Sequence, residues 1–149
     1  MYYKWKRQPF AGADADVIGE HIESLAKNGI ITPTDLVKDA KRKSSPLHRC
    51  FEWDDTAAAR AYRITQAQYI LRCIDVMIER EDETSFTVRA FHHVNTEAKQ
   101  GYTTVENARN DPEMWDCVKL QAITEIKNWQ QKYKNITEFE VIFEAIKTI

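Results

Sequence analysis

The spacing of apolar residues predicts three helices in the first half of the chain. From Ala13 to Lys27, apolar side chains recur at intervals of three and four residues, with an aspartate ahead of them as a cap. An Asn-Gly pair at 28–29 ends this helix, and a second helix is predicted from about Pro33 to Lys43. A long central helix begins near Asp55, and its apolar positions are Tyr62, Ile64, Ala67, Leu71 and Ile74.

Alternation of apolar and polar residues predicts a β-hairpin after the central helix. Ile74, Val76 and Ile78 lie on one face of the first strand, a polar turn follows at 81–84, and Phe86 to His93 forms the second strand. Residues 102–105 fit either a third short strand or the start of a helix.

Two helices are predicted at the carboxyl end. Asp111-Pro112-Glu113 opens one of about 20 residues, and Thr137 with Glu140 has the spacing of a capping box that opens the other. The pattern therefore predicts an α+β fold with two short amino-terminal helices, a long central helix, a β-hairpin with or without a third strand, and two carboxyl-terminal helices. Residues 1–12 are predicted to form a basic and aromatic arm, and residues 13–149 a single domain.

Composition narrows the classes of protein. A chain of 149 residues, 43% of them hydrophobic and 30% charged, is long enough to bury one core and argues against extensive disorder. No apolar run approaches the roughly 20 residues of a membrane helix, and the amino terminus lacks the apolar core of a secretion signal, so we expect a cytoplasmic protein. Cys50, Cys73 and Cys117 are expected to be reduced thiols, since three widely spaced cysteines do not make a disulfide framework.

The net charge of -2 conceals two basic segments, one in the arm and one at the end of the second helix. Their cations could meet backbone phosphates, while the tryptophan of the arm could stack on a base. Binding is expected to be weakly sequence-specific, because the second helix offers few side chains suited to bidentate base reading. The alternative is a solvated helix end, which the helix dipole favours for cations in any case. The predicted nucleic-acid contacts are Lys4, Trp5, Lys6, Arg7, Lys38, Lys41, Arg42 and Lys43.

No catalytic or metal site is predicted, and we expect no cofactor. His92 and His93 are neighbours on a strand, so their side chains point to opposite faces and cannot share one metal. His21 lies on the apolar side of its helix, where a hydrogen-bonded core residue is the simpler interpretation. Asp54 and Asp55 precede a helix, and capping explains them better than an acid pair.

A motif spans the loop before the central helix and the helix itself: Ser45, Pro46, Leu47, His48, Phe51, Glu52, Trp53, Asp54, Asp55, Ala58, Ala59, Tyr62, Arg63, Gln66, Ala67 and Ile70. It resembles a group of short proteins encoded in phage and prophage genomes, and the resemblance extends from about Ile30 to the carboxyl terminus. The resemblance implies a phage origin and a small intracellular protein. It brings no established activity and therefore no catalytic residues.

In physical terms the motif determines structure. Its large apolar residues anchor the loop to the core, and its aspartates cap the central helix. Arg63 and Gln66 either contact a ligand or tie down the preceding loop, and the second interpretation is favoured. The predicted structural residues are Leu47, Phe51, Trp53, Asp54 and Asp55.

Three functions follow from these observations. The first is a small, phage-encoded, non-enzymatic protein that binds DNA or associates with nucleoprotein. The second is an adaptor or inhibitor that binds a host or phage protein, or a phage structural or assembly protein. A hydrolase or metalloenzyme ranks third. The apolar stripe from Trp115 to Tyr133 is explained mainly by core packing, and the alternative is a homodimer through the two carboxyl-terminal helices.

Overall fold

The computed structural model describes residues 2–7, 12–53, 57–82 and 84–149. Asp54 and Asp55, which the sequence predicts as helix caps, lie outside the described residues. Residues 8–11 of the predicted arm also lie outside them.

The described residues form six α-helices and five β-strands, which confirms the predicted α+β class. A 3-10 helix at His48–Cys50 precedes the central helix, and another at Thr137–Phe139 precedes the last one. In chain order the elements are β1 (Tyr2–Trp5), α1 (Ala15–Ser24), α2 (Pro33–Ala40), α3 (Ala57–Cys73), β2 (Ile74–Glu79), β3 (Ser85–Arg89), β4 (Phe91–Asn95), β5 (Gln100–Thr104), α4 (Val105–Asn110), α5 (Pro112–Tyr133) and α6 (Glu140–Ile146).

Local capping explains where three helices begin. The Asp14 carboxylate accepts hydrogen bonds from the first free N–H groups of α1, and Thr32 Oγ1 accepts one from the N–H of Asp35 in α2. Asp111 Oδ1 caps α5 at 3.1 and 3.2 Å. These contacts satisfy N–H groups that have no partner within the helix. The predicted capping box at Thr137 does not form, because residues 137–139 make a 3-10 turn and Phe139 stands at the start of α6.

The first sheet contains β1, β2 and β3 in that order, all antiparallel. In its register Tyr3 lies opposite Val76, which lies opposite Val88. Residues 2–5 were predicted as an arm, and the structure corrects this: they form an edge strand whose Tyr3 is buried. A strand of four residues is too short to show alternation, and the free edge of β2 supplies its backbone partners.

The predicted second strand of the hairpin is divided between two sheets. β3 pairs with β2, whereas β4 pairs with β5 in a separate two-stranded sheet. The division falls at Ala90, where Ala90 and Phe91 are both buried and the alternation is lost. Both interpretations of residues 102–105 are correct in part. Residues 102–104 belong to strand β5, which ends at Thr104, and helix α4 begins at Val105.

The main core lies between the helices α1, α2 and α3 and the inner faces of the sheets. Fully buried side chains at its centre come from α1, the loop before α2, α2, the motif loop, α3 and β4, and they are Ile22, Ile31, Leu36, Leu47, Ile70, Leu71 and Phe91. A smaller cluster of Val94, Ala108 and Met114 attaches α5 to β4 and α4.

Residues 122–149, which we call the distal hairpin, extend beyond this core. Met114 is the only buried residue of α5, all of whose residues are described. Trp129 packs on Phe139 and Phe143 with ring centroids 5.6 and 5.9 Å apart, so α6 folds back on the end of α5. The predicted apolar stripe is therefore divided. Trp115 and Val118 pack on the smaller cluster, Trp129 packs on Phe139 and Phe143, and Ile126 between them is exposed.

The structure contains no candidate membrane span: among the described helices, none is both long enough and apolar enough to cross a bilayer.

Candidate nucleic-acid interface

The outward face of α3 is exposed and carries no acidic residue. Its opposite face is buried through Ala67, Ile70 and Leu71. At 3.6 residues per turn, six of the exposed and half-exposed positions fall on one arc about 120° wide. Tyr62 is 56% exposed there. The residues of this α3 face are Ala61, Tyr62, Thr65, Gln68, Tyr69 and Arg72.

Cations gather at the carboxyl end of the α3 face. The backbone N–H of Lys6 donates to the carbonyl of Cys73 at 2.7 Å, which places the residues after β1 beside the last turn of α3. A side-chain hydrogen bond with Cys73 raises the pKa of the Tyr69 phenol, and the positive charges of Arg7 and Arg72 partly oppose this rise. Lys6 and Arg7, two of the predicted contacts, thus lie next to the α3 face.

A groove lies at the amino end of α3, where this helix packs against α2. It encloses about 380 Å³ and is lined by Val37, Lys41, Trp53, Arg60 and Arg63. We call it the α2–α3 groove. Lys41 and Arg60 have exposed side chains. Among the described residues, neither of them forms an ion pair.

The described part of the motif loop, residues 45–53, forms one wall of this groove through Trp53. Arg63 is only 3% exposed, and its Nε donates to the carbonyl of Glu52 at 2.6 Å. Its guanidinium carbon lies 4.7 Å from the ring centre of Trp53, whose Nε1 donates to the carbonyl of His48 at 2.8 Å. Gln66 Oε1 accepts a hydrogen bond from the N–H of Glu52. Both polar residues of the motif helix therefore tie down the preceding loop, and Leu47 and Phe51 are buried beneath it.

Arg42, a predicted phosphate contact, has a structural partner instead. Its guanidinium forms an ion pair with the buried carboxylate of Asp39. Asp39 Oδ2 also accepts hydrogen bonds from Ser45 Oγ at 2.5 Å and from His21 Nε2 at 2.7 Å. Burial and the charge of Arg42 lower the pKa of His21, which is consistent with a neutral ring that donates to Asp39. This cluster joins α1, α2 and the following loop, so Arg42 is less available to a ligand than its neighbours.

The same cluster is not a serine hydrolase triad. In a triad the histidine removes the serine proton. Here the Ser45 hydroxyl donates to Asp39 and lies 3.5 Å from His21 Nε2, which faces the same carboxylate oxygen. The arrangement therefore stabilises a loop and does not activate a nucleophile.

Two residues of the predicted arm occupy positions that change their expected roles. Trp5 packs on the core, and its Nε1 donates to the carbonyl of Ala13 at 2.7 Å, so its indole is not a free stacking platform. Lys4 lies on the outer face of the first sheet, directly opposite Asp75. Lys38 and Lys43 are exposed near the α2–α3 groove.

Acidic residues concentrate at the far end of the first hairpin. Glu79, Glu81 and Asp82 are exposed there, and Arg80 stacks on Phe86. Because a strand rises about 3.4 Å per residue, this turn lies about 17 Å along β2 from the end of α3. The acidic turn and the α3 face are therefore separate surfaces.

Among the described residues, we find no nucleophilic or metal site beside the basic surface. Burial raises the pKa of the Cys50 thiol to about 11, so the thiolate that reacts or binds metal is disfavoured. The three cysteines are free, and Cys73 is also buried. In the described part of the chain, no three His, Cys, Asp or Glu side chains are grouped closely enough to hold a metal ion.

The α3 face was missed by our sequence interpretation, although its signal is present in the chain. Residues 57–73 contain three arginines and no Asp or Glu. A count of charged residues along the sequence instead drew attention to residues 38–43, where four cations lie close together in the chain. Only the periodicity of an established helix shows which side chains of α3 share the solvent face.

Comparisons with known proteins do not assign the chain to a family. No family model, no curated protein and no solved structure matches it.

Proposed function

We propose that the protein is a non-enzymatic DNA-binding protein that places the α3 face against a duplex. The observation that carries this proposal is the absence of acidic residues from α3 between cationic ends. Lys41 and Arg60 lie at one end, and Arg7 and Arg72 at the other. Cations at both ends of an acid-free surface are what contact with the phosphate backbone requires.

The dimensions of α3 suit the major groove of DNA. Arg60 and Arg72 are twelve residues apart, and a rise of 1.5 Å per residue separates them by about 18 Å along the helix axis. The groove is about 12 Å wide and admits an α-helix. Arg72 lies on the α3 face, and Arg60 projects about 120° around the helix axis from it, so we expect these two cations to meet phosphates on different sides of the groove.

Most of the expected contacts are to phosphates, so sequence specificity should be weak. Gln68 is the side chain of the α3 face best suited to bidentate reading of adenine, and Thr65 can add one hydrogen bond. Tyr62 and Tyr69 offer apolar contact. Phosphate contacts position a protein on DNA without reading its sequence.

Fluorescence anisotropy with a labelled duplex tests this proposal. We expect binding at 50 mM salt that weakens roughly a hundredfold by 200 mM, because four phosphate contacts imply a slope of about -3.6 in log K against log salt. The double variant Arg60→Gln/Arg72→Gln should reduce the slope by about two units. The variant Lys127→Gln/Lys134→Gln removes the same charge from the distal hairpin and should leave the slope unchanged. Absence of duplex binding at 50 mM salt would refute the proposal.

A second candidate function, binding of a host or phage protein, is favoured by the exposed side of α6. The side chain of Val141 is 83% exposed and that of Ile142 is 47% exposed. Exposed apolar stripes are typical of interaction surfaces. Sedimentation analysis and capture of partners with wild type and Val141→Glu distinguish self-association from binding of another protein. If the wild-type protein is a monomer and captures the same proteins as Val141→Glu, this function is excluded.

A further inference from the structure

The α2–α3 groove has the charge and the shape of an anion site. Among the described residues, its lining contributes one lysine, two arginines and no carboxylate. The carboxylate of Glu52, in the described part of the motif loop, accepts a hydrogen bond from the N–H of Trp53 at 3.1 Å. The cavity of about 380 Å³ is large enough for a phosphate group with part of its ester.

Two of the cations are available to a ligand, and the third belongs to the wall of the groove. Lys41 follows the last residue of α2 and Arg60 lies in α3, and both are exposed, so an anion between them would bridge the two helices. The Arg63 guanidinium is held in place by the Glu52 carbonyl and the Trp53 ring.

Trp53 forms a wall of the groove and not a stacking platform. His48 stacks on its ring with centroids 5.0 Å apart and planes 10° from parallel, and Arg63 lies over the same ring system. Little of the indole face remains for a nucleobase. The ligand chemistry that fits is therefore the phosphate itself, which Lys binds as a point charge and Arg through two parallel N–H donors.

We propose that the α2–α3 groove is a phosphate-binding site in which Lys41 and Arg60 contact the phosphate oxygens. This inference rests on the proposed function in one respect, since we take the phosphate to be a backbone phosphate of DNA. The site would anchor the duplex at the amino end of the α3 face. A free phosphorylated molecule carries the same chemistry, and the experiment below separates the two sources.

Indole NMR signals of protein labelled with ¹⁵N-tryptophan provide a direct readout. The chain has four tryptophans, and Trp53→Phe identifies the signal of Trp53 by its disappearance. Sodium phosphate, sodium chloride at equal ionic strength and a short DNA duplex are titrated separately. We expect phosphate and duplex, but not chloride, to shift the Trp53 signal saturably. Lys41→Gln/Arg60→Gln should weaken both effects by about tenfold or more, since charge-assisted hydrogen bonds are lost.

Lys127→Gln/Lys134→Gln is the matched control, because it removes two positive charges outside the groove. It should leave the phosphate titration of Trp53 as in wild type. The phosphate site is refuted if phosphate does not shift the NMR signal of Trp53. It is also refuted if phosphate shifts this signal equally in the groove variant and in the control variant.

The failures of the two proposals are distinguishable. A duplex that binds without moving the Trp53 signal, and loses no more affinity in Lys41→Gln/Arg60→Gln than in the control, overturns the groove site and leaves the DNA proposal standing. Phosphate that binds in the groove while no duplex binds overturns DNA binding and identifies a phosphorylated small molecule as the ligand.

Discussion

The body of the protein, which comprises the described residues from 2 to 121, and the distal hairpin differ in how their apolar residues are used. In the body, helices α1, α2 and α3 each bury one face in a shared core with the sheets. In the distal hairpin, Phe143 and Ile146 are the buried residues among 122–149, all of which are described, while Val141, Ile142 and Ile149 face solvent. Similar apolar spacing in the two regions thus gives a core in one and an open surface in the other.

The difference teaches that amphipathic spacing identifies a helix but not its partner. α3 runs between α2 and the first sheet and has buried neighbours along its length. α5 packs on α4 and β4 with its first half and on α6 at its far end. We expect four measurements to test the contrast.

The largest effect should come from a leucine pair matched in chemistry and helical context. Leu71→Ala in α3 removes a fully buried side chain and should lower the free energy of unfolding by about 3 kcal/mol. Leu120→Ala in α5 truncates a side chain that is 66% exposed and should change it by less than about 0.5 kcal/mol. Urea unfolding monitored by circular dichroism measures both. Equal losses would mean that α5 is covered in solution, for example by a second copy of the chain.

Phe143→Ala should act on the distal hairpin alone. The side chain packs on Trp129 and Phe139, and its loss should cost about 2 kcal/mol, less than in an enclosed core. Amide hydrogen exchange should then accelerate in α6 while α3 keeps its protection, because regions with few buried contacts open independently. Val141→Ala in the same helix should change neither the free energy of unfolding nor the amide exchange of α6. Faster exchange in α3 would show that the two regions unfold as one unit.

Gly19→Ala tests whether β1 belongs to the body. A methyl group on Gly19 would overlap the ring of Tyr3, so β1 must shift or α1 must move. Overpacking of this kind costs about 1–3 kcal/mol. Thermal unfolding of Gly19→Ala, Tyr3→Ala and the double variant forms a cycle, in which the double variant should be clearly less destabilised than the sum of the single variants. Additive losses would argue that Tyr3 does not pack on α1 in solution.

The smallest effect should be a pH dependence at the junction of the body and α5. Burial and the charge of Arg89 lower the pKa of His92 from its usual value of 6.5. The unfolded chain therefore binds this proton at a higher pH than the folded chain does. As the pH falls below 6.5, the free energy of unfolding should decrease, until the pH passes below the lowered pKa. His92→Gln should remove that part of the slope in urea unfolding measured from pH 7.5 to 5. If the free energy of unfolding depends on pH in the same way in wild type and in His92→Gln, the His92 side chain is solvated in the folded protein.

Local chemistry made much of the fold predictable. Asp14, Thr32 and Asp111 cap helices because their side chains reach N–H groups within three residues. Such contacts depend on neighbours in the chain and can be read without a fold. The division of the hairpin at Ala90 could not, since a strand pattern does not say which strand it pairs with.

The candidate site was predictable only in part. Lys41 and Arg42 are adjacent and both positively charged, but the first lines a groove and the second pairs with Asp39. Trp5 has the chemistry of a stacking residue, but its indole N–H donates to the carbonyl of Ala13. These assignments depend on residues that lie far away in the chain, so charge and aromaticity alone did not separate them.

The sequence by itself determined five of the helices, three of them with their caps, the strand segments that follow α3, and the supply of cations in the first half of the chain, because each of these depends on side chains within a few residues. Tertiary structure alone decided that residues 2–5 join a sheet, that α3 and not α2 presents the acid-free face, and that Lys41 and Arg60 share one groove. The physical reason is that burial and the pairing of charges depend on which elements meet in space, and a one-dimensional pattern does not specify those partners.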